Sequence, residues 1–184
     1  MKKDQIREIN DKLQVVVDQP LRAIFRWADM LGLEFGNIIE KESFGKKEDG
    51  TRGCFIHKAG EYALHIQTFY RLVSGNAILL AKNDLYQPSN KARSAESFDR
   101  ADFDCELLGN NRLDEIMYEL AGNLDGFVVK SVSVNNFGDL RIRFNNAALL
   151  QVIADTSDAF ECWRFFRHGD ESDHLVVSTD GILG

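Results

Sequence analysis

The residues best suited to chemistry are a histidine, a carboxylate and their polar neighbours on two nearby segments of the chain. His65, Gln67 and Arg71 alternate with apolar residues, and Asp84 and Tyr86 follow the next apolar run. An aspartate can orient a histidine or stabilise its positive charge, which allows the imidazole to serve as a general base. A tyrosine and an arginine beside them can position an anionic ligand. These five residues predict a binding or hydrolytic site, provided that the fold brings the two segments together.

A β-hairpin would bring these segments together. In the run Tyr62 to Val73, polar residues fall at odd positions and apolar residues at even ones, as in a strand with one buried face. The even positions predicted to face the core are Leu64, Ile66, Tyr70 and Leu72. Gly75 and Asn76 tolerate positive φ and suit a tight turn, and Ala77 to Asn83 would form the return strand.

The register of this hairpin decides whether the polar residues meet. With a two-residue loop, Gln67 would face Asp84 and His65 would face Tyr86, with Cβ atoms about 4.5 to 5.5 Å apart. The other pairs would be Ser74 with Ala77, Leu72 with Leu79, Tyr70 with Ala81 and Ile66 with Leu85. A loop that differed by one residue would scatter the cluster. A histidine near an aspartate on a half-exposed sheet is also often an ordinary surface pair.

Two helices are predicted outside the hairpin. Lys2 to Leu13 has apolar residues at helical spacing between charged ones. Asn111 to Gly122 carries a continuous apolar stripe, Asn111 can cap its first turn, and Gly122 stands where a left-handed residue ends a helix. Leu21 to Asn37 fits either a helix or two short strands, and we favour the strands.

The second half of the chain predicts an antiparallel meander. Its strands are expected at Phe127 to Val134, Asp139 to Phe144, Ala147 to Ile153, Ala159 to Phe166 and His174 to Ser178. The predicted fold class is α+β, with predominantly antiparallel sheets of meander and hairpin strands, an N-terminal helix and a mid-chain amphipathic helix packed on a sheet. The 184 residues suit a single domain, with β-rich halves at 21–86 and 127–180 joined by a polar loop at 87–104 and a helix at 111–122.

The net charge of the chain bears on its partners. A formal net charge of -7 disfavours nucleic-acid binding, because phosphate contacts depend on clustered lysine and arginine. The acidic loop with Asp170, Glu171 and Asp173 suits a basic protein partner, although many proteins carry such a charge for solubility alone. The aromatic run Phe160 to Arg167 could stack on bases, but a buried strand explains it more simply. The expected partner is therefore a protein rather than a nucleic acid or a membrane, with the oligomeric state left open.

Established catalytic and targeting patterns are missing from the sequence. Cys54, Cys105 and Cys162 lack CxxC spacing and indicate reduced thiols, and the pair Cys54 and His57 has no second pair of metal ligands. The sequence contains no phosphate-binding loop, zinc-protease, serine-hydrolase or catalytic-cysteine motif, and no signal-peptide pattern. We therefore expect a cytoplasmic protein that is not an enzyme and uses no metal or cofactor.

Part of the sequence resembles a group of bacterial proteins. Leu64 to Gln67, then Arg71, then Asp84 with Tyr86 resemble small uncharacterised bacterial proteins with a Leu-His-Ile/Val-Gln strand, an arginine and an Asp-x-Tyr after the hairpin. The closing aromatic run around Trp163 fits the same pattern. The resemblance implies a bacterial origin and carries no mechanism with it.

The size and acidity of the chain are similar to those of bacterial immunity proteins, which neutralise secreted toxins. The predicted function is accordingly a non-catalytic protein-interaction module of that kind, with a basic toxin domain as its partner. The alternative is a small-molecule-binding protein or a hydrolase that uses the cluster of His65 and Asp84.

Overall fold

The computed structural model describes residues 1–46, 50–170 and 174–183, which form three α-helices and eleven strands. The helices are α1 (Lys3–Leu13), α2 (Asn90–Arg93) and α3 (Arg112–Ala121). The first five strands are β1 (Leu21–Trp27), β2 (Met30–Lys46), β3 (Arg52–Ile66), β4 (Phe69–Ser74) and β5 (Ala77–Ala81). The others are β6 (Val129–Val134), β7 (Leu140–Phe144), β8 (Ala148–Ile153), β9 (Glu161–Arg167), β10 (Leu175–Ser178) and β11 (Gly181–Leu183). Short 3₁₀ helices span Gln14–Val16, Lys82–Tyr86 and Arg100–Asp102.

The strands form two antiparallel sheets. One has six strands in the order β1-β2-β3-β9-β10-β11, and the other has five in the order β5-β4-β8-β7-β6. Each sheet takes strands from both β-rich halves of the chain, because β3 pairs with β9 and β4 pairs with β8. The predicted α+β class is confirmed, with an N-terminal helix and a mid-chain helix beside antiparallel sheets.

The hydrophobic core contains residues of both sheets. Leu33 and Leu64 of the six-stranded sheet are buried in the same cluster as Leu150 of the five-stranded sheet. Trp163 is fully buried, and its indole Nε1 donates a hydrogen bond of 2.8 Å to the carbonyl oxygen of Gly138. The large aromatic surface of this indole is therefore buried without leaving its donor unpaired.

The outer strands of both sheets lie against helices. Helix α1 contacts β6 and β11, and α3 contacts β1 and β5. Asn10 of α1 acts like a further strand residue beside β6: its Nδ2 donates to the carbonyl oxygen of Val134 at 3.3 Å, and its Oδ1 accepts from the Val134 amide at 3.0 Å. Such contacts cover strand edges that would otherwise be open to another chain.

The predicted helices and first strands are largely confirmed. Residues 21–37 form β1 and the start of β2, so the predicted strands in this segment are confirmed. The side chain of Asn111 caps α3 by accepting from the Asp114 amide at 2.8 Å. Gly122 differs from the prediction, because its φ of -71° is right-handed rather than left-handed.

The predicted hairpin is half right. Gly75 and Asn76 form the loop and Ser74 pairs with Ala77, but a bulge shifts the next residues so that Leu72 pairs with Leu80. The run Tyr62 to Val73 is not one strand. It breaks at Gln67 and Thr68, whose amides both donate to the carbonyl oxygen of Cys162, and there the chain passes from one sheet to the other.

Candidate functional site

The structure does not bring the predicted polar cluster together. His65 pairs with Gly32 and Arg164 in the six-stranded sheet, so its predicted pairing with Tyr86 is wrong. The predicted pairing of Gln67 with Asp84 is also wrong. The physical reasons are that the chain passes from one sheet to the other at Gln67 and Thr68, and that residues 82–86 form a 3₁₀ helix instead of continuing the return strand.

The members of that predicted cluster have separate local roles. Asp84 accepts a hydrogen bond of 2.7 Å from the Ala81 amide at the start of the 3₁₀ helix, and Tyr86 is exposed. The Gln67 side chain donates to Glu161 at 2.8 Å, and Arg71 donates to Gln151 at 2.8 Å. Of the predicted acidic loop, Asp170 lies beside a surface groove, whereas Glu171 and Asp173 lie outside the described residues.

The two longest strands extend well beyond the sheet that contains them. We call residues 38–46 of β2 and 52–60 of β3 the ribbon. Strand β1 pairs with β2 only between Met30 and Phe35, and β9 pairs with β3 only from Tyr62 onward. Within the described parts of the chain, neither edge of the ribbon pairs with a further strand.

A bulge joins the ribbon to the sheet. The register of β2 and β3 shifts between Phe35 and Ile38, where Gly36 has a φ of +89° that side-chain-bearing residues rarely adopt. Across from it, a Cβ atom on Gly60 would lie 2.8 Å from the Phe35 nitrogen. Both strands therefore need glycine at this joint.

One face of the ribbon carries large apolar and acidic side chains. The residues that alternate onto it, here called the ribbon face, are Ile38, Glu40, Glu42, Phe44, Cys54, Ile56 and Lys58. All are exposed, including 81 % of Phe44 and 67 % of Ile56. Aromatic and branched side chains rarely stay exposed together on a protruding element unless they bind something.

A groove of about 790 Å³ lies between the ribbon and the outer side of the six-stranded sheet. It is lined by Ile39, Glu40, Lys41, Glu42, Phe166, Arg167, His168, Gly169, Asp170 and His174. The groove thus brings the predicted Asp170 beside two carboxylates of the ribbon. Among the described residues of this lining, the side chains that could take part in chemistry are proton-transfer groups, namely carboxylates, histidines and a lysine.

A charged cluster of Glu34, Lys41 and His168, here called the histidine cluster, connects the ribbon to the sheet. Lys41 Nζ lies 3.0 Å from His168 Nδ1, and His168 Nε2 lies 3.4 Å from a Glu34 carboxylate oxygen. The second Glu34 oxygen accepts from the Gly60 amide at 2.9 Å. The side chains of His168 and Glu34 are only 5 % and 13 % exposed. The Nε2 of His168 is within ion-pair distance of Glu34 but has no hydrogen-bond partner of good geometry.

Burial and neighbouring groups act in opposite directions on Glu34. Burial raises the pKa of this carboxyl, but the adjacent His168 imidazole, the hydrogen bond from the Gly60 amide and the positive charge of Lys41 lower it by more. The pKa of Glu34 therefore lies below its usual value. The result is a carboxylate held in its charged form behind a buried imidazole.

Phe166 packs against three of the four histidines of the chain. Its ring makes edge contacts with His65 at 5.0 Å and His168 at 5.2 Å, and it stacks on His174 at 4.4 Å. Burial lowers the pKa of His65, and the positive charges of Arg164 and Lys41 lower it further. His65 thus favours its neutral form, and it stands behind the groove as part of an aromatic wall.

The sequence patterns did not reveal the histidine cluster. Glu34 falls between Leu33 and Phe35 in an alternating strand, which predicts an outward side chain but not its partners. Lys41 and His168 are separated by 127 positions in the chain. Their meeting depends on the pairing of β3 with β9 and on the bend of the ribbon, neither of which a local pattern contains.

A second charged cluster lies at another place in the fold. Arg26 of β1 makes a bidentate pair with Asp114 of α3, and their side chains are 7 % and 6 % exposed. Asp114 also accepts from the Gly109 amide and from Asn111 Nδ2, each at 2.8 Å. Arg26 donates further to the Ala28 carbonyl oxygen at 2.9 Å. Burial raises the pKa of Asp114, but these hydrogen bonds and the charge of Arg26 lower it overall.

Metal-binding clusters and membrane-spanning helices are both missing from the described residues. In the described parts of the chain, no group of three or more histidine, cysteine, aspartate or glutamate side chains is arranged to hold a metal ion. No helix within residues 1–46, 50–170 and 174–183 has the length and apolar composition needed to cross a membrane.

Comparison of the chain with models of protein families, with curated proteins and with solved structures returns no match. A proposal for function therefore rests on the geometry of the ribbon, the groove and the histidine cluster.

Proposed function

We propose that this protein is a non-catalytic protein-interaction module and that the ribbon face is its binding surface. The observation that carries the proposal is the exposure of Phe44 and Ile56 on a ribbon whose two strand edges are unpaired within the described residues. The outer strands of the sheets lie against helices, whereas the side chains of the ribbon face are all exposed. Protruding strands with exposed apolar side chains are suited to recognising another protein.

The charges around the ribbon favour a basic partner. Glu40 and Glu42 lie on the ribbon face, and together with Asp170 they line the groove. The whole chain has a formal net charge of -7, which attracts a positively charged protein and raises its rate of association. The partner that we propose is a basic protein domain whose apolar patch covers Phe44 and Ile56.

A toxin-neutralising role fits these properties best. Immunity proteins of bacteria are small proteins that bind and block a toxin, and the surface described here is suited to binding without catalysis. In this proposal the chain is a bacterial, cytoplasmic protein, and its partner is a basic toxin domain encoded by a neighbouring gene.

The test uses the purified product of the neighbouring gene. We expect a stoichiometric complex whose association slows as salt concentration rises. The double variant Glu40→Lys/Glu42→Lys should slow association by about tenfold or more, because it reverses the charge of the ribbon face.

The matched control is Glu96→Lys/Glu119→Lys, which changes the net charge equally at two exposed positions outside the ribbon and the groove. This control should slow association with the partner only slightly. A lack of complex, or an equal loss in both double variants, would contradict the proposed surface. Phe44→Ser supplies a further arm: it leaves the charge unchanged and should speed dissociation rather than slow association.

The groove supports a second candidate function, namely small-molecule binding or hydrolysis. The favouring observation is that the buried His168 stands between a lysine and a carboxylate at the wall of a groove of about 790 Å³. Turnover of simple carboxylate or phosphate esters by the wild type, abolished in His168→Asn, would support it. Equal rates for the two proteins would leave the groove without a catalytic role.

A further inference from the structure

The contact between Lys41 and His168 assigns a protonation state to the imidazole. A lysine ammonium group can only donate hydrogen bonds, so His168 Nδ1, which lies 3.0 Å from Lys41 Nζ, must accept. The imidazole is then neutral, with its proton on Nε2, which lies 3.4 Å from a Glu34 carboxylate oxygen. Because this histidine is buried, solvent cannot readily replace either neighbour.

Protonation of His168 would break this arrangement on one side only. A proton on Nδ1 would place two hydrogen-bond donors and two positive charges face to face, so Lys41 would be driven away. On the other side, the imidazolium would be attracted more strongly to the Glu34 carboxylate. The imidazole would therefore keep its contact with the sheet and lose its contact with the ribbon.

We propose that His168 is a pH-sensitive latch, which holds the ribbon against the sheet through Lys41 when neutral and releases the ribbon when protonated. The bulge at Gly36 and Gly60 supplies the joint about which the ribbon moves. Histidine is the side chain whose charge ordinarily changes between pH 5 and 8, so the latch is tested across that range. The movement belongs to the free protein and does not depend on the proposed partner.

The charged neighbours of the latch come from every element packed around it. They are Glu34 and Lys41 on β2, His57 and His65 on β3, Arg164 and Arg167 on β9, and Asp170 and His174 after it. Arg167 pairs with Glu61 at 2.8 Å, and Arg164 pairs with Glu161. His57 lies opposite Lys41 across the ribbon and is exposed, so the variant His57→Asn controls for a pH response that arises in the ribbon itself.

A distance measurement between two spin labels tests the latch. Cys54, which is exposed on the ribbon, carries one label, and Ser131→Cys on β6 carries the other, in a chain with Cys105→Ser; Cys162 is buried and stays unlabelled. At pH 8 we expect one narrow distance distribution. At pH 5 a displaced population should rise by about tenfold, because the loss of one hydrogen bond to a charged group shifts a two-state equilibrium by about that factor.

Three variants assign the response to His168. His168→Asn retains an oxygen that can accept from Lys41 but cannot be protonated, so its distribution should be narrow at both pH values. Lys41→Met removes the donor to His168 and should give a broad distance distribution at both pH values. His57→Asn should respond like the wild type. A wild-type distribution that does not change with pH, or a response that persists in His168→Asn or vanishes in His57→Asn, would overturn the latch.

Discussion

The two buried charged clusters of this protein differ in how completely their hydrogen bonds are satisfied. Arg26 and Asp114 contact each other twice, and both have further backbone partners. In the histidine cluster, His168 has one good hydrogen bond to Lys41 and only a longer approach to Glu34. The first cluster joins β1 to the start of α3, whereas the second lies at the wall of a groove beside a protruding ribbon.

This difference separates a structural role from a functional one. A fully satisfied buried network rigidifies the fold, and removing one member leaves the others uncompensated. A partly satisfied network can exchange partners at low cost when one of its groups gains or loses a proton. The first cluster should therefore control stability, and the second should control the position of the ribbon.

The largest expected effect comes from breaking the satisfied cluster. Arg26→Leu leaves Asp114 buried without its counter-ion and should lower the free energy of unfolding by about 3–5 kcal/mol. The control is Arg112→Leu, whose pair with Glu115 is more exposed, at 33 % and 21 %, and should cost at most about 1 kcal/mol. Denaturant unfolding measures the free energy of unfolding of both variants. Equal losses would show that the pair of Arg26 and Asp114 stabilises the fold no more than an exposed ion pair does.

An intermediate effect is expected on acidification. The pKa values of Asp114 and Glu34 lie below their usual values of 3.8 and 4.5, so each carboxylate stabilises the fold above that value. This stability is lost as the pH falls through the folded-state pKa. The free energy of unfolding should therefore depend less on pH at the acid end of the pH range (the acid limb) in Asp114→Asn than in Glu34→Gln. The measurement is urea unfolding between pH 6 and pH 2, and an unchanged acid limb in Asp114→Asn would contradict the assignment.

A small effect on stability is expected at Lys41. Lys41→Met removes the hydrogen bond to His168 and displaces the ribbon, and it should lower the free energy of unfolding by about 1 kcal/mol. If Lys41→Met lowered the free energy of unfolding as much as Arg26→Leu does, the histidine cluster would have a structural role rather than a functional one. The same unfolding series supplies the measurement.

Local pattern predicted the elements of the fold better than their partners. The even positions Leu64, Ile66, Tyr70 and Leu72 are all buried, as the alternation indicated. They nevertheless belong to two sheets, because period-two burial continues through the crossing at Thr68 and does not show which strand lies alongside. The predicted register failed for a related reason: one bulge beside Leu72 and one 3₁₀ helix displaced every later pair.

The candidate site shows the same limit more strongly. Asp170 was expected from its charge, and the structure places it at the groove. Glu34, Lys41 and His168 come from distant positions, and each has an ordinary polar side chain in an ordinary local pattern. Their significance arises only from burial and mutual distance, which tertiary structure sets.

The contact between Asn10 and Val134 has a consequence for the time course of folding. These residues are 124 positions apart, so the edge of β6 receives its cover only after a long loop has closed. Both sheets also pair strands from opposite halves of the chain. Such a high contact order predicts slow folding, on the order of milliseconds to seconds, with strand edges open until α1 docks. Aggregation during refolding should therefore depend on how fast α1 associates, more than on the final stability of the native state.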